Sequence, residues 1–238
     1  MPIQGDSRLT IALERPGASA DQGIYSDRVE LQSVKPHFPL PDISAEYRQG
    51  FNFGYIEIAG IWRQIEWEDI DPADPYELSG EDVGWGANLS TNIRIADKTI
   101  FRGSYLIGEG VQNYMNDAPV DVGIRLNPGS TVTPIVGEAL GVKGIVAFID
   151  HNWNDKFSTS LGYSSIKIDN SDGQAPDAFK KGQYVVGNLM YYPVKNAMMG
   201  IEFQYGDRVN FSDGWNTSIS KVQLSFKYNF SQDFFDKK

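Results

Sequence analysis

Apolar and polar residues alternate with a period of two along most of this chain, and that spacing places successive side chains on opposite faces of a strand. In the run 85–95, Trp85, Ala87, Leu89, Thr91, Ile93 and Ile95 share one face, while Gly86, Asn88, Ser90, Asn92 and Arg94 share the other. The same alternation sets Met199, Ile201, Phe203 and Tyr205 against Gly200, Glu202, Gln204 and Gly206. It recurs with Val222, Leu224, Phe226, Tyr228 and Phe230 against Lys221, Gln223, Ser225, Lys227 and Asn229. About ten strands are predicted in this way, at 7–14, 43–49, 54–65, 84–95, 99–108, 142–153, 157–168, 183–192, 198–208 and 219–230. Most are near the length at which a tilted strand crosses a bilayer. No segment longer than a turn carries a 3.6-residue period. The stretch 183–192 is apolar on both faces, so its phase stays open.

The connections alternate in length. Long ones at 15–42, 66–83, 109–141, 169–182 and 209–218 interleave with short ones at 49–53, 96–98, 154–156 and 193–197. Outer-membrane barrels join strands this way, with short periplasmic turns and long outside loops. Three-residue turns at 96–98 and 154–156 would pair Ile95 with Thr99 and Trp153 with Phe157. The second pair suits an aromatic girdle at a membrane interface, although such a pair also caps ordinary cores. The expected fold is all-β: an antiparallel, up-and-down transmembrane β-barrel, with residues 1–238 forming a single domain.

Composition narrows the chemistry. The 238 residues include no cysteine and two histidines, His37 and His151, which excludes a disulfide scaffold, a thiolate zinc site and a cysteine nucleophile. No cofactor or metal is expected. A net charge of −10 disfavours nucleic acid as a partner. The mean hydropathy of −0.36 excludes a bundle of membrane helices but not a barrel, whose strands average polar and apolar residues. No secretory signal opens the chain.

Charge is distributed unevenly. The strand face opposite the apolar one carries Arg8, Arg48, Arg63, Arg94, Arg102, Arg208, Lys221 and Lys227 against Glu14, Glu46, Glu57 and Glu202. Acids concentrate instead in connections, as with Glu68, Asp69, Asp71, Asp74, Glu77, Glu81 and Asp82. A pore lined by Arg48, Arg63, Arg94, Arg102, Arg208, Lys221 and Lys227, with Glu57 and Glu202, would enrich small anions. The plainer explanation is that each arginine pairs with a neighbouring carboxylate and packs the wall.

Other motifs are weaker. Asp169-Asn-Ser-Asp-Gly173 opens like a calcium loop but lacks the distal glutamate. The glycine pairs at 84–86 and 108–110 precede no helix and so cradle no phosphate. His151 with Ser160 or Ser164 could be imagined as an outer-membrane esterase or phospholipase. A secreted β-sandwich stacking sugars on Trp62, Trp67 and Trp85 is the other rival.

The closing run Val222-Gln-Leu-Ser-Phe-Lys-Tyr-Asn-Phe230 looks like the last strand of an outer-membrane protein, which the barrel-assembly machinery reads; Ser231–Lys238 extend past it. Residues 8–14, Gly84–Ser90, Gly108–Gly110, Lys181–Leu189 with Tyr192–Val194, and Gly200–Gly206 resemble the DcaP-like porins. The resemblance spans nearly the whole chain but only the C-terminal part of the family pattern. It implies a homotrimer of barrels of roughly sixteen strands, preceded by a signal peptide, associated with uptake of dicarboxylates and related anions. About six strands and the signal would then be absent, and Met1-Pro2 would sit at a short periplasmic turn. The partners implied are outer-membrane lipid, lipopolysaccharide and small anionic solutes.

Overall fold

The computed structural model describes residues 6–71, 73, 75–115 and 118–230. The expectations placed on Met1 and Pro2, on Asp74 and on Ser231–Lys238 lie outside these residues. The chain forms β1 (Ser7–Glu14), β2 (Val34–His37), β3 (Asp42–Phe51), β4 (Gly54–Asp69), β5 (Gly80–Ala96), β6 (Thr99–Glu109), β7 (Val122–Leu126), β8 (Ile135–Ala139), β9 (Gly141–Asn154), β10 (Phe157–Asp169), β11 (Phe179–Tyr191), β12 (Ala197–Asn210) and β13 (Asn216–Tyr228).

All ten expected strands are present, and they pair antiparallel in chain order. The path is β1-β3-β4-β5-β6-β9-β10-β11-β12-β13, with β2 added beside β4. Among the described residues the edge strands β1 and β13 do not pair with each other, so the wall is open. Several strands run longer than the alternation predicts. β4 has 16 residues and β5 has 17, beyond the roughly 9–11 that cross a bilayer. The acidic connection 66–83 thereby shrinks to 70–79. β13 stops at Tyr228, leaving Asn229 and Phe230 past its end.

Three short strands were not expected. β2 lies in the linker after β1, and β7 and β8 form a separate hairpin inside the long connection before β9. The turns differ too. Ala96 pairs with Thr99 across a two-residue turn, because a bulge between Arg94 and Ala96 takes up Ile95. Phe157 pairs with Asn154, and a second bulge displaces Trp153. The expected pairings Ile95–Thr99 and Trp153–Phe157 are therefore corrected by one residue each.

Register fixes the two faces. The outer face carries Leu9, Ile11, Leu13, Ile58, Trp62, Leu89, Tyr105, Ile149, Leu161, Leu189, Ile201, Phe203, Leu224 and Phe226, connected row by row through the strand pairs. These side chains are exposed, with Leu161 at 60% and Leu224 at 77%. Among the described residues no second sheet packs on them, as a β-sandwich requires. Near the short turns the aromatics gather: Phe51 stacks on Phe53 at 5.1 Å, and Phe157 on Tyr191 at 4.9 Å. Trp153 donates its indole N–H to Thr159 Oγ1 at 2.9 Å.

The core lies on the opposite, inner face, at the long-loop end. Val111, Leu140, Val142 and Ile168 form a buried cluster with Ile61, Leu106, Met115, Ile166 and Phe179 around it. A second cluster joins Leu31, Leu78, Ile124 and Ile135. The linker 15–41 and the segments 110–115 and 118–140 thus fold over the inner face as a cap. This resolves the phase of β11: Tyr184 and Val186 face inward, Val185 and Leu189 outward.

Candidate functional site

Pairing brings all the expected lining residues to the inner face. Arg8 lies opposite Arg48, and Arg48 opposite Glu57. Glu57 continues to Ser90 and Ser104, Asn92 to Arg102, and Arg94 to Ile100. Across the wall, Asn188 faces Glu202, and Gly182 faces Arg208. Gln204 faces Lys221, and Met198 faces Lys227. The strand alternation alone carried this assignment, since a residue's parity decides its face.

Local partners then sort these side chains. The Arg48 guanidinium sits over the Tyr55 ring, 3.6 Å from its centroid, and makes no ion pair among the described residues. Arg94, Lys221 and Lys227 are likewise unpaired there. Arg8 contacts Glu46 at 2.7 Å, and Arg102 contacts Asp150 at 2.6 Å. Ser160 Oγ donates to Asp150 as well, at 2.5 Å. Ser90 Oγ donates to Glu57 at 3.2 Å. Glu202 accepts from Asn188 at 3.3 Å and from Gln204. Arg208 donates to Asn210 Oδ1 and to the Asp177 carbonyl, each at 3.0 Å.

Arg63 departs from the expectation of an open pore-lining position. It is on the inner face, but its exposure is 0%. Its Nε lies 3.2 Å from Asp42 Oδ2 and its Nη1 lies 3.2 Å from Asp121 Oδ1. It also donates to the carbonyls of Gly110, at 2.9 Å, and Gly17. Asp121 accepts from Ser19 N at 2.9 Å, Ser19 Oγ at 3.1 Å and Asn113 N at 3.0 Å. Tyr114 donates its hydroxyl to Asp42 at 2.6 Å. Burial first, and then the Asp42 carboxylate, push the Tyr114 hydroxyl above its ordinary pKa. A buried arginine with two carboxylates and backbone carbonyls is an anchor: it fastens the linker, through Gly17, and the segment after β6, through Gly110 and Asp121, to the wall.

Four acids of the wall join the inner face beyond those expected: Asp42, Asp69, Asp82 and Asp150. Asp150 follows the even-numbered parity of β9, so the alternation contains it. Asp42, Asp69 and Asp82 lie in strand extensions that the apolar pattern does not reach. Their presence narrows the basic excess, and what distinguishes the face is which cations stay unpaired. Asp82 is tied to the cap, its Oδ2 accepting from Ala139 N at 2.8 Å.

The rival chemistries are not assembled. His151 faces outward, 2.9 Å from Thr99 Oγ1 and edge-on to Trp153, whereas Ser160 and Ser164 face inward. Trp62 and Trp85 pair on the outer face, but Trp67 turns inward and donates to the Leu78 carbonyl at 2.9 Å. The segment 169–173 is a docking strut: Ser171 Oγ and Gly173 N both donate to the Ile124 carbonyl at 2.8 Å. Among the described residues, no cluster of three or more histidines or carboxylates is placed to hold a metal ion.

No protein-family model matches the sequence, and no curated protein does. Among solved structures, the outer membrane channel DcaP of Acinetobacter baumannii superposes on 97% of this chain with a TM-score of 0.75 and 18% identity. A NanC porin covers 83% of the chain at a TM-score of 0.39 and 12% identity, too low to bear on the fold. This chain spans 60% of the DcaP channel's length. The chain accordingly shares the fold seen in that structure: an antiparallel, up-and-down sheet, apolar on one face and polar on the other.

Proposed function

We propose that this chain forms the wall of a porin in the bacterial outer membrane and passes small hydrophilic anions, of the dicarboxylate type, by passive diffusion. One observation carries this reading: ten paired strands sort their side chains so that exposed apolar residues cover one side and every charged lining residue occupies the other. Lipid suits the first surface and water the second. Arg48, Arg94, Lys221 and Lys227 supply unpaired positive charge to the water-filled side, which raises local anion concentration. Insertion by the barrel-assembly machinery through Val222–Phe230, and a homotrimeric assembly of barrels completed by further strands, belong to the same proposal.

The test is electrical. The chain, refolded into planar bilayers, is expected to conduct, and its reversal potential in a salt gradient should have the sign of anion preference. Cation preference would overturn the anion assignment. A folded chain that never conducts, alone or with the strands completing its barrel, would overturn the pore.

A further inference from the structure

Trp67 faces inward beneath the cap, away from the outward pair Trp62 and Trp85. Its indole N–H donates to the Leu78 carbonyl at 2.9 Å. A Cβ on Gly80 would come within 2.8 Å of the ring, and one on Gly137 within 2.6 Å. Close contact with β5 on one side and with the β7–β8 hairpin on the other fixes the ring in place. It forms part of the lining of a cavity of about 240 Å³, together with Leu31, Val34, Ile65, Val122 and Ile135. Leu31 and Ile135 belong to the second buried cluster, and Val34 packs against it. That cluster is therefore built around a space, whereas protein interiors normally close down to voids no larger than a water molecule. An apolar cavity of about 150 Å³ takes up benzene, and this one is about half as large again.

The polar side chains lining the cavity are already engaged. Asp21 accepts from Gly23 N at 2.8 Å and from Gln174 at 3.1 Å. Gln22 donates to the Leu31 carbonyl at 3.3 Å, and Lys35 to the Gln32 carbonyl at 2.6 Å. Glu66 accepts from Gln64. An ionised ligand would lose its hydration here without gaining a partner, and an anion would meet two carboxylates against one ammonium. We propose that this cavity binds an uncharged aromatic molecule of two fused rings, packed against Trp67. Ring-to-ring contact adds to the burial of apolar area, and a wall already held in place costs the ligand little ordering. The lining comes from the linker, from the hairpin and from β4, so the occupant joins cap to wall. The site needs no conduction and stands apart from the anion pathway proposed above.

The test uses fluoronaphthalene and the detergent-folded chain. Fluorine NMR should show a bound signal that saturates and that detergent alone does not give. The anionic fluoronaphthoate should give none. The chain has no cysteine, so Val34→Cys supplies a single thiol at the cavity, and Leu126→Cys supplies one on an exposed position of the same hairpin. Both variants are checked for wild-type β content by circular dichroism, and their modification by methyl methanethiosulfonate is followed by mass spectrometry. Fluoronaphthalene at ten times its Kd should slow the Val34→Cys reaction about tenfold and leave the Leu126→Cys reaction unchanged. A wild type without a saturable signal overturns the site. Saturable binding that leaves Val34→Cys unprotected places the ring elsewhere and overturns it too. Equal binding of fluoronaphthoate overturns the preference for an uncharged ligand.

Discussion

Arg63 and Asp121 meet at 3.2 Å across 58 residues of sequence, both fully buried. Arg63 belongs to the wall and Asp121 to the cap, so their contact holds one to the other. Removing the guanidinium leaves Asp42 and Asp121 without their cation. Arg63→Ala should therefore cost about 3–5 kcal/mol, the penalty of breaking a buried pair from one side. Thermal unfolding measures that loss. Single-channel recordings should show larger and noisier openings, because the freed cap no longer covers the inner face.

Neighbouring positions on β10 test which face meets lipid. Leu161 is outward and 60% exposed, while Ser160 is inward beside Asp150. Leu161→Arg places a charge in hydrocarbon, which costs about 2–4 kcal/mol near the bilayer midplane. Ser160→Arg adds a cation beside Asp150 and should leave folding efficiency nearly unchanged. Refolding yield into vesicles, followed by urea titration, separates the two. Equal penalties would contradict the assignment of faces.

The ten wall strands and the facing of every lining residue were legible because period-two alternation is a local property. The cap was not. β2, β7 and β8 lie in segments rich in Pro, Gly and Ser, where no alternation announces them, and they are held by docking against the wall. Arg63 reads like any other inward arginine. Its burial depends on Asp121 and Gly17, whose approach is set by the folding of two long connections and by no pattern around Arg63 itself. Asp150 shows the reverse case: its parity was readable, and its contact with Arg102 turns an apparently free cation into a paired one.

That pair yields a selectivity prediction. Asp150→Asn releases Arg102, which is about half exposed, and adds one unpaired positive charge to the inner face. Anion preference should rise, read as a reversal potential shifted further towards that of the anion. Stability should change by no more than about 1 kcal/mol, as for other exposed pairs.

Gly162 and Phe148 set the relief of the inner surface. They lie opposite each other, and a Cβ on residue 162 would come within 2.2 Å of the Phe148 ring. The ring lies over the glycine. Gly162→Ala should lift it away from the wall, with an overpacking cost of about 1–3 kcal/mol and a lower unitary conductance. The double change Gly162→Ala/Phe148→Ala should restore the conductance.

Tyr114 predicts the alkaline behaviour of the cap. Its hydroxyl, hydrogen-bonded to Asp42, titrates above the ordinary tyrosine value. An unfolded tyrosine loses its proton near pH ~10, whereas the folded chain retains it. The folded state then binds more protons, so stability falls as pH rises through and beyond that value. The ring is 40% exposed, and solvent screening keeps the loss small. Urea midpoints at about pH 9 and pH 11 should differ less in Tyr114→Phe than in the wild type.

The Arg63 anchor also orders events in time. Strand partners such as β3 with β4 or β9 with β10 are joined by two-residue turns and can find each other early, because closing a short loop loses little entropy. Arg63 must gather Gly17, Gly110 and Asp121 from 46, 47 and 58 residues away. The guanidinium consequently sheds its hydration water last, over a surface already erected. The wall therefore stands bare on its inner side before the two long connections are fastened across it.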